Sequence, residues 1–184
     1  MRSRVAGPLA TLLFPLLACS AGQKGAPMTL TVSSPAFAAN AAIPTQFTCE
    51  GPNISPELKW SGVPDQAKSL ALIVDDPDAP DPAHPKTTWV HWVAYDIPAS
   101  ASGAPENAGQ QGITGARPGL NDFGNPGWGG PCPPIGRHRY FFKLYALDTA
   151  LGDLGEPTKA QLEAAMKGHV VAHAELVGTY QRGD

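Results

Sequence analysis

Residues 69–78 read Ser-Leu-Ala-Leu-Ile-Val-Asp-Asp-Pro-Asp, and this stretch decides how the rest of the chain is interpreted. Its first half is apolar at consecutive positions, which is typical of a β-strand buried on both faces at the centre of a sheet. Its second half places Asp76 and Asp78 on either side of Pro77, which fixes the backbone of a turn. The stretch therefore predicts a central strand that ends in a rigid acidic loop.

Further strands are predicted on both sides of this one. Short segments with β-branched and aromatic residues recur, separated by Pro, Gly, Asn and Asp, and such segments are typical of strands. We expect strands at residues 29–33, 58–60, 69–75, 88–97, 140–147 and 174–180. Residues 99–136 are rich in Gly, Pro and Asn, and we expect a long irregular stretch that serves a functional site. The domain is therefore predicted to be mostly β, with long pocket loops.

One helix is expected near the C-terminus. Thr158 and Gln161 have the spacing of a capping box, and Leu162, Met166 and Val170 follow at helical spacing. We expect this C-terminal helix to cover one face of a sheet.

The first 18 residues are predicted to be a signal peptide, because two arginines precede an apolar run that is too short and interrupted to span a membrane. The run ends in Leu-Leu-Ala-Cys19, which resembles the bacterial lipobox, in which the Cys becomes the lipidated first residue of the mature protein. Ordinary signal cleavage nearby is the alternative. Residues 19–27 would form a flexible tether, and residues 28–184 the folded domain. We therefore expect a periplasmic protein, lipid-anchored through Cys19 to a bacterial membrane.

Two further cysteines, Cys49 and Cys132, remain in the folded domain. Disulfides persist in exported proteins, so we expect these two residues to form one, although two free buried thiols are the alternative. The formal net charge is −3 and no run of Lys or Arg occurs. Nucleic acid is therefore excluded as a partner.

Candidate binding residues lie at the ends of the predicted strands. Alternation along residues 89–93 places His91 on the same face as Trp89 and Val93. His138 and Tyr140, two residues apart, share a face of their own strand, and Arg139 between them should face the other way. With the acidic loop, these residues predict one pocket, whose candidate ligand-binding residues are Asp76, Asp78, His91, His138 and Tyr140.

Two imidazoles and a phenol can donate hydrogen bonds to an anion, and a protonated His adds charge. Asp76 fits such a pocket if it accepts a hydrogen bond from an imidazole and favours the imidazolium. Anion affinity should then fall as pH rises through the titration range of His. Capping a turn is the alternative role for Asp76 and Asp78, and a buried place in the core is the alternative for His91.

Catalysis is the weaker interpretation of the same residues. Two His and one carboxylate can ligate a metal, but no short metal-binding spacing or serine-hydrolase elbow occurs. Cys132 could act as a nucleophile near His138, but a disulfide would remove its thiolate. We therefore expect no enzyme activity, no metal and no cofactor.

At these residues the chain resembles the phosphatidylethanolamine-binding protein family, in particular its bacterial branch, called Raf-kinase-inhibitor-like. The resemblance spans most of the mature chain. It lies in Asn53-Ile54-Ser55-Pro56, Asp76-Pro77-Asp78-Ala79-Pro80, Trp89-Val90-His91-Trp92, Asn121-Asp122-Phe123-Gly124, Gly130-Pro131-Cys132-Pro133-Pro134 and His138-Arg139-Tyr140.

The resemblance implies antiparallel, β-sandwich-like sheets with a small preformed anion pocket. It puts Asp76, His91, His138 and Tyr140 at family pocket positions and Asp78 at the second acid of the same loop. Family members are associated with phosphorylated head groups or phosphate-like anions, some inhibit kinases or proteases, and the bacterial branch is associated with homodimers. The chain differs from the eukaryotic pattern at Val90, where a second His is common, and kinase inhibition is not carried over.

The sequence thus predicts an exported binding protein with a small pocket for phosphate-like anions or phospholipid head groups. Its expected partners are a small anionic ligand, a membrane through the lipid anchor only, and, as open alternatives, a second copy or another protein. An inhibitor or interaction protein that acts on an envelope protease or another partner is the alternative function. A metal-dependent hydrolase is the third.

Overall fold

The computed structural model describes residues 29–183. The predicted signal peptide, the tether and the lipidation site at Cys19 lie outside these residues. Within residues 29–183, no helix is long and apolar enough to cross a membrane.

Eight strands, two α-helices and one short 3-10 helix (Thr45–Phe47) are the regular elements of the described part of the chain. In chain order the strands and α-helices are β1 (Thr31–Ser33), β2 (Leu58–Ser61), β3 (Ser69–Asp76), β4 (Trp89–Pro98), β5 (Gly103–Ala104), α1 (Ala108–Gln111), β6 (Arg117–Gly119), β7 (His138–Leu147), α2 (Lys159–Met166) and β8 (Val170–Tyr180). A five-stranded sheet has the order β6-β4-β3-β7-β8, and a three-stranded sheet has the order β1-β2-β5. All pairings between these strands are antiparallel, so the predicted mostly β, antiparallel fold class is confirmed.

The central strand is β3, as its composition predicts, and every residue in it is buried. Leu70, Leu72 and Val74 belong to the large core that includes side chains of both sheets. Ala71 and Ile73 point to the opposite face, where a smaller core includes Leu162 and Met166 of α2. A strand with apolar cover on both faces needs the continuous apolar run that the sequence shows.

The C-terminal helix begins as predicted and ends early. Thr158 and Gln161 form a capping box, since the Gln161 side chain accepts from the Thr158 backbone N–H at 2.8 Å. The helix ends at Met166, so the expectation that it includes Val170 is wrong. Gly168 has a φ of +85°, which leaves the helical region, and the following β-branched residues begin β8 four residues before the predicted strand start.

Residues 99–136 contain three elements that the sequence did not predict, namely β5, α1 and β6. Each has two to four residues, which is too short to give a periodic pattern.

The close contact between α1 and Trp128 depends on Gly109. A Cβ on Gly109 would lie 2.3 Å from the Cβ of Trp128, so glycine allows α1 to pack directly on that indole.

The predicted disulfide between Cys49 and Cys132 is present, and its two Cα atoms are 5.4 Å apart. The Cys49 backbone N–H also donates to the Pro131 carbonyl at 3.1 Å, and Asn53 Oδ1 accepts from the Gly130 N–H at 2.8 Å. These bonds attach the segment before β2 to the loop before β7. A cross-link across 83 residues stabilises a fold by on the order of 4 kcal/mol in the chain-entropy description.

An ion pair fixes the acidic loop after β3 to strand β7. Asp78 accepts from the Arg139 backbone N–H and Nε, both at 2.9 Å, and from Nη2 at 2.7 Å. These bonds lower the pKa of the Asp78 carboxyl, chiefly through the hydrogen bond from the Arg139 side chain. The bidentate pair therefore holds the loop against the sheet.

We predict that Asp78→Asn lowers the free energy of unfolding by about 1–2 kcal/mol at neutral pH. A carboxyl whose pKa is depressed on folding stabilises above its unfolded pKa, about 3.9, and loses this contribution as pH falls through the lower folded value. Urea denaturation should therefore show a shallower loss of stability below about pH 4 in the variant than in the parent protein. The control is Asp148→Asn, whose exposed carboxylate contacts only the exposed His169. An equal effect of both substitutions would contradict the assignment.

Candidate ligand-binding site

A cavity of about 270 Å³ opens where β3 ends and where β4 and β7 begin. Because neighbouring strands are antiparallel, these three strand ends meet at one edge of the sheet. The residues that line the cavity are Asp76, Ala79, Pro80, Trp89, His91, Phe123, Cys132, Pro133, Pro134, His138 and Tyr140. Four of the five predicted site residues thus lie around one cavity, and Asp78 is not among its lining residues.

A β-bulge turns His91 into the cavity. Val74 pairs with Trp92 and the next residue, Asp75, pairs with Val90, so His91 is an extra residue in β4. As a result Trp92 belongs to the main core, whereas Val93 belongs to the smaller core under α2. The prediction that His91 shares a face with Val93 is therefore wrong, because simple alternation does not hold across a bulge.

His91 is a neutral imidazole with one nitrogen already engaged. Its Nδ1 lies 2.5 Å from the Gly129 carbonyl oxygen, and since a carbonyl only accepts, Nδ1 carries the hydrogen. Burial lowers the pKa of His91 to about 4. The ring packs edge-on against Tyr140, with centroids 5.1 Å apart. Nε2 is consequently the nitrogen that remains for a ligand, and it has no hydrogen at neutral pH.

Asp76 and His138 form a buried pair on the cavity wall. Asp76 Oδ2 lies 2.6 Å from His138 Nδ1, and Oδ1 accepts from the Asp78 N–H at 2.8 Å. His138 Nε2 lies 3.0 Å from the Ile135 carbonyl and donates to it. Burial raises the pKa of Asp76, and the hydrogen bond to His138 opposes that rise. One proton lies between Oδ2 and Nδ1, so the pair has zero net charge whichever atom carries it.

The predicted contact between Asp76 and an imidazole is therefore present, but its consequence differs from the expectation. Both nitrogens of His138 are occupied by protein oxygens, so His138 offers no N–H to a ligand. His91 offers no positive charge at neutral pH. The pocket therefore carries no net positive charge, in contrast to the cationic pocket that the sequence predicts, because burial penalises an unpaired charge.

Tyr140 supplies the free donor of this site. Its side chain is fully buried on β7, and its hydroxyl has no hydrogen-bond partner among the described residues. Burial and the nearby Asp76 and Asp78 raise its pKa above the ordinary value, so the hydroxyl keeps its proton. A buried hydroxyl without a partner is costly, and in a cavity wall it indicates a site for a ligand atom.

Asp78 and Arg139 lie on the outside of the pocket. Arg139 is exposed, as predicted for the residue between two buried ones, and it holds the Asp78 carboxylate as described above. Asp76 and Asp78 therefore have different environments although they flank one proline. Asp78 supports the loop from outside, and Asp76 supports it from inside.

The apolar walls were not predicted as site residues. Trp89 and Phe123 meet edge-to-face with centroids 5.5 Å apart, and Phe123 is 45% exposed at the cavity mouth. Three prolines, Pro80, Pro133 and Pro134, complete the wall. The sequence did contain a signal for these wall residues, because they lie in the same short motifs as the polar site residues.

A metal centre is not favoured by this geometry. Across residues 29–183, no group of three His, Cys, Asp or Glu residues is arranged to hold a metal ion. Cys132 lies in the disulfide and is therefore not a thiolate. A second cavity of about 220 Å³ is lined by residues around α1 and by Arg117, whose guanidinium is paired with Asp96 and Asp153. It adds no reactive group.

Known proteins resemble this chain over most of its length. Residues 33–181 match the family model described as phosphatidylethanolamine-binding protein. A UPF0098 protein of Methanothermobacter thermautotrophicus is 48% identical over 156 residues, which cover 84% of this chain and all of the relative.

Two crystal structures have the same fold. A phosphatidylethanolamine-binding protein homologue from Chlamydia trachomatis is 44% identical, with a TM-score of 0.78, and the match covers 84% of this chain and 99% of the homologue. YbcL of Escherichia coli, a member of the mammalian PEBP family, is 36% identical, with a TM-score of 0.75 and coverage of 83% and 98%. Sequence motifs, fold and relatives agree: the chain belongs to the phosphatidylethanolamine-binding protein family.

Proposed function

We propose that this protein binds a small anion, phosphate or the phosphate of a lipid head group, without catalysing a reaction. The observation that carries the proposal is the Tyr140 hydroxyl, which is buried at a preformed cavity and has no protein partner. A hydroxyl in that position can donate to an anionic oxygen, and such a bond is stronger than one between neutral groups.

The remaining features of the cavity support binding over catalysis. A volume of about 270 Å³ accommodates a phosphate group with a short substituent. Trp89 and Phe123 offer an apolar surface for that substituent near the mouth. Asp76 and His138 are committed to each other, and Cys132 is oxidised, so these three residues supply neither a free carboxylate nor a thiolate for catalysis.

Calorimetric titration of the purified protein with inorganic phosphate and with phosphoethanolamine tests the proposal and separates its two sources of phosphate. Tighter binding of phosphoethanolamine would identify a head group, and equal binding would identify phosphate alone as the recognised part. Absence of binding by both anions would refute the small-anion function.

We predict that Tyr140→Phe weakens binding of the anion by about 10-fold to 100-fold, because a hydrogen bond to a charged oxygen contributes about 1.5–3 kcal/mol. The same substitution should not destabilise the unliganded protein, since the hydroxyl has no partner to lose. Tyr145→Phe is the matched control, because Tyr145 lies on the same strand and stacks on His173 away from the cavity. A loss of affinity in both variants, or in neither, would contradict the role of Tyr140.

We also propose that the protein is exported and attached to a bacterial membrane through a lipid on Cys19, which places it in the periplasm. The disulfide between Cys49 and Cys132 supports an oxidising compartment. The lipobox-like residues before Cys19 support lipidation.

In cells that express the full chain, labelled palmitate should be incorporated into the protein and should be lost in Cys19→Ser. Fractionation should move that variant from the membrane to the soluble fraction. Gln23→Ala serves as the control, since it changes the predicted tether next to Cys19 without removing the attachment site or the disulfide. Label that persists in Cys19→Ser would exclude this anchor.

A protein-binding role is the second candidate function. Two large apolar side chains are exposed beside the pocket, Phe123 at 45% and Ile135 at 56%, and exposed apolar residues often mark contact surfaces. The partner could be an envelope protease, another protein or a second copy of the chain, and an acidic group of that partner would then occupy the mouth of the pocket. This candidate gains weight if neither phosphate nor phosphoethanolamine binds.

A further inference from the structure

Two polar atoms on fully buried side chains of the pocket remain for a ligand, one donor and one acceptor. The side-chain polar atoms of Asp76 and His138 are engaged by protein groups, and the sulfur of Cys132 is in the disulfide. Among the buried side chains of the lining, two atoms remain for a ligand, the Tyr140 hydroxyl and His91 Nε2. The hydroxyl can donate. Nε2 can only accept while Nδ1 donates to the Gly129 carbonyl.

The charged groups around His91 give the pocket no net positive charge. Asp75 on β3 is bound by Lys143 and Lys159, and the Asp76–His138 pair is neutral as a unit. Asp122, in the turn after β6, accepts from the Val90 N–H at 2.8 Å. The titratable and charged groups that surround His91 are therefore Asp76, Asp122, His138 and Tyr140, with Asp75 acting on it from the opposite face of the sheet. No Lys or Arg is among the cavity's lining residues in the described part of the chain.

These observations limit the charge and the protonation of the ligand. A bare dianion would direct a lone pair at Nε2 and would be buried without a cation, and both are unfavourable. An oxyanion that keeps one proton fits both atoms, since its hydroxyl donates to Nε2 and its charged oxygen accepts from Tyr140. Protonation of His91 is the other way to bind, and burial of the ring opposes it.

We propose that the pocket selects the protonated, singly charged form of a phosphate-type oxyanion. In this complex His91 Nε2 accepts from the P–OH group and the Tyr140 hydroxyl donates to a P–O⁻ oxygen. The inference rests on the proposed function and specifies which form of the anion is bound. A sulfonate or a sulfate monoester, which has the same charge, lacks the proton and binds only when His91 takes one up from solvent.

Methylphosphonate and methanesulfonate test this selection, because at mildly acidic pH both are monoanions of similar shape and the phosphonate alone carries a hydroxyl. Calorimetric titration of the purified protein should give about tenfold or greater preference for methylphosphonate. Methanesulfonate binding should take up close to one proton, measured in buffers of different ionisation enthalpy. Methylphosphonate affinity should fall about tenfold per pH unit once its second proton dissociates, as linkage of one proton requires.

Two variants separate the roles of the two atoms. Tyr140→Phe should weaken both ligands equally and preserve their ratio, since the lost donor serves an oxygen that both ligands have. His91→Gln should bring the ratio toward one, because an amide can both donate and accept. Equal affinity for the two ligands in the parent protein, without proton uptake, would overturn the inference and leave the anion-binding function intact. Failure of both ligands and of phosphate to bind would refute the function itself.

Discussion

The buried contact between Asp76 and His138 is the interaction on which the rest of the site depends. It joins the end of β3 to the start of β7 at 2.6 Å, and the Ile135 carbonyl holds the other nitrogen of the imidazole. Removing either partner would leave a buried polar group unpaired, which costs about 1–3 kcal/mol or more for a charged group. Because Asp76 and His138 share one proton and have no net charge together, they form part of the pocket wall without making the pocket cationic. Anion recognition is left to Tyr140 and His91.

Tyr140 and His91 are oriented into the cavity by different structural features. Tyr140 reaches the cavity through plain alternation along β7, with exposed Arg139 before it. His91 reaches it through a bulge that interrupts alternation in β4 and through the Gly129 carbonyl that fixes its ring. Gly129 belongs to the same loop that the disulfide and Asn53 attach to the segment before β2. The tautomer of His91 therefore depends on a loop that the disulfide and Asn53 attach to another part of the chain.

Much of this architecture could be predicted from the sequence. Local patterns or motifs of the family predict four features of the structure. These are the doubly buried strand β3, the capping box at Thr158, the disulfide, and the shared pocket of Asp76, His91, His138 and Tyr140. What failed depends on tertiary context. A bulge has no signature in the sequence of the ten-residue strand β4, so the face predicted for the Val93 side chain was wrong. The direction of the two His nitrogens depends on the Gly129 and Ile135 carbonyls, which lie in loops without periodicity. The sequence therefore identified the pocket residues but not the electrostatics of the pocket.

The protonation of His91 in the free protein is the quantity that decides this account. Long-range ¹H–¹⁵N correlation spectra of the imidazole rings at neutral pH report which nitrogen of each His carries a proton. We expect His91 with a hydrogen on Nδ1 and none on Nε2, and this pattern should persist to mildly acidic pH, since burial lowers the pKa of His91 to about 4. An imidazolium, or a neutral ring with its proton on Nε2, would contradict the account, because the pocket would then present two donors to its ligand.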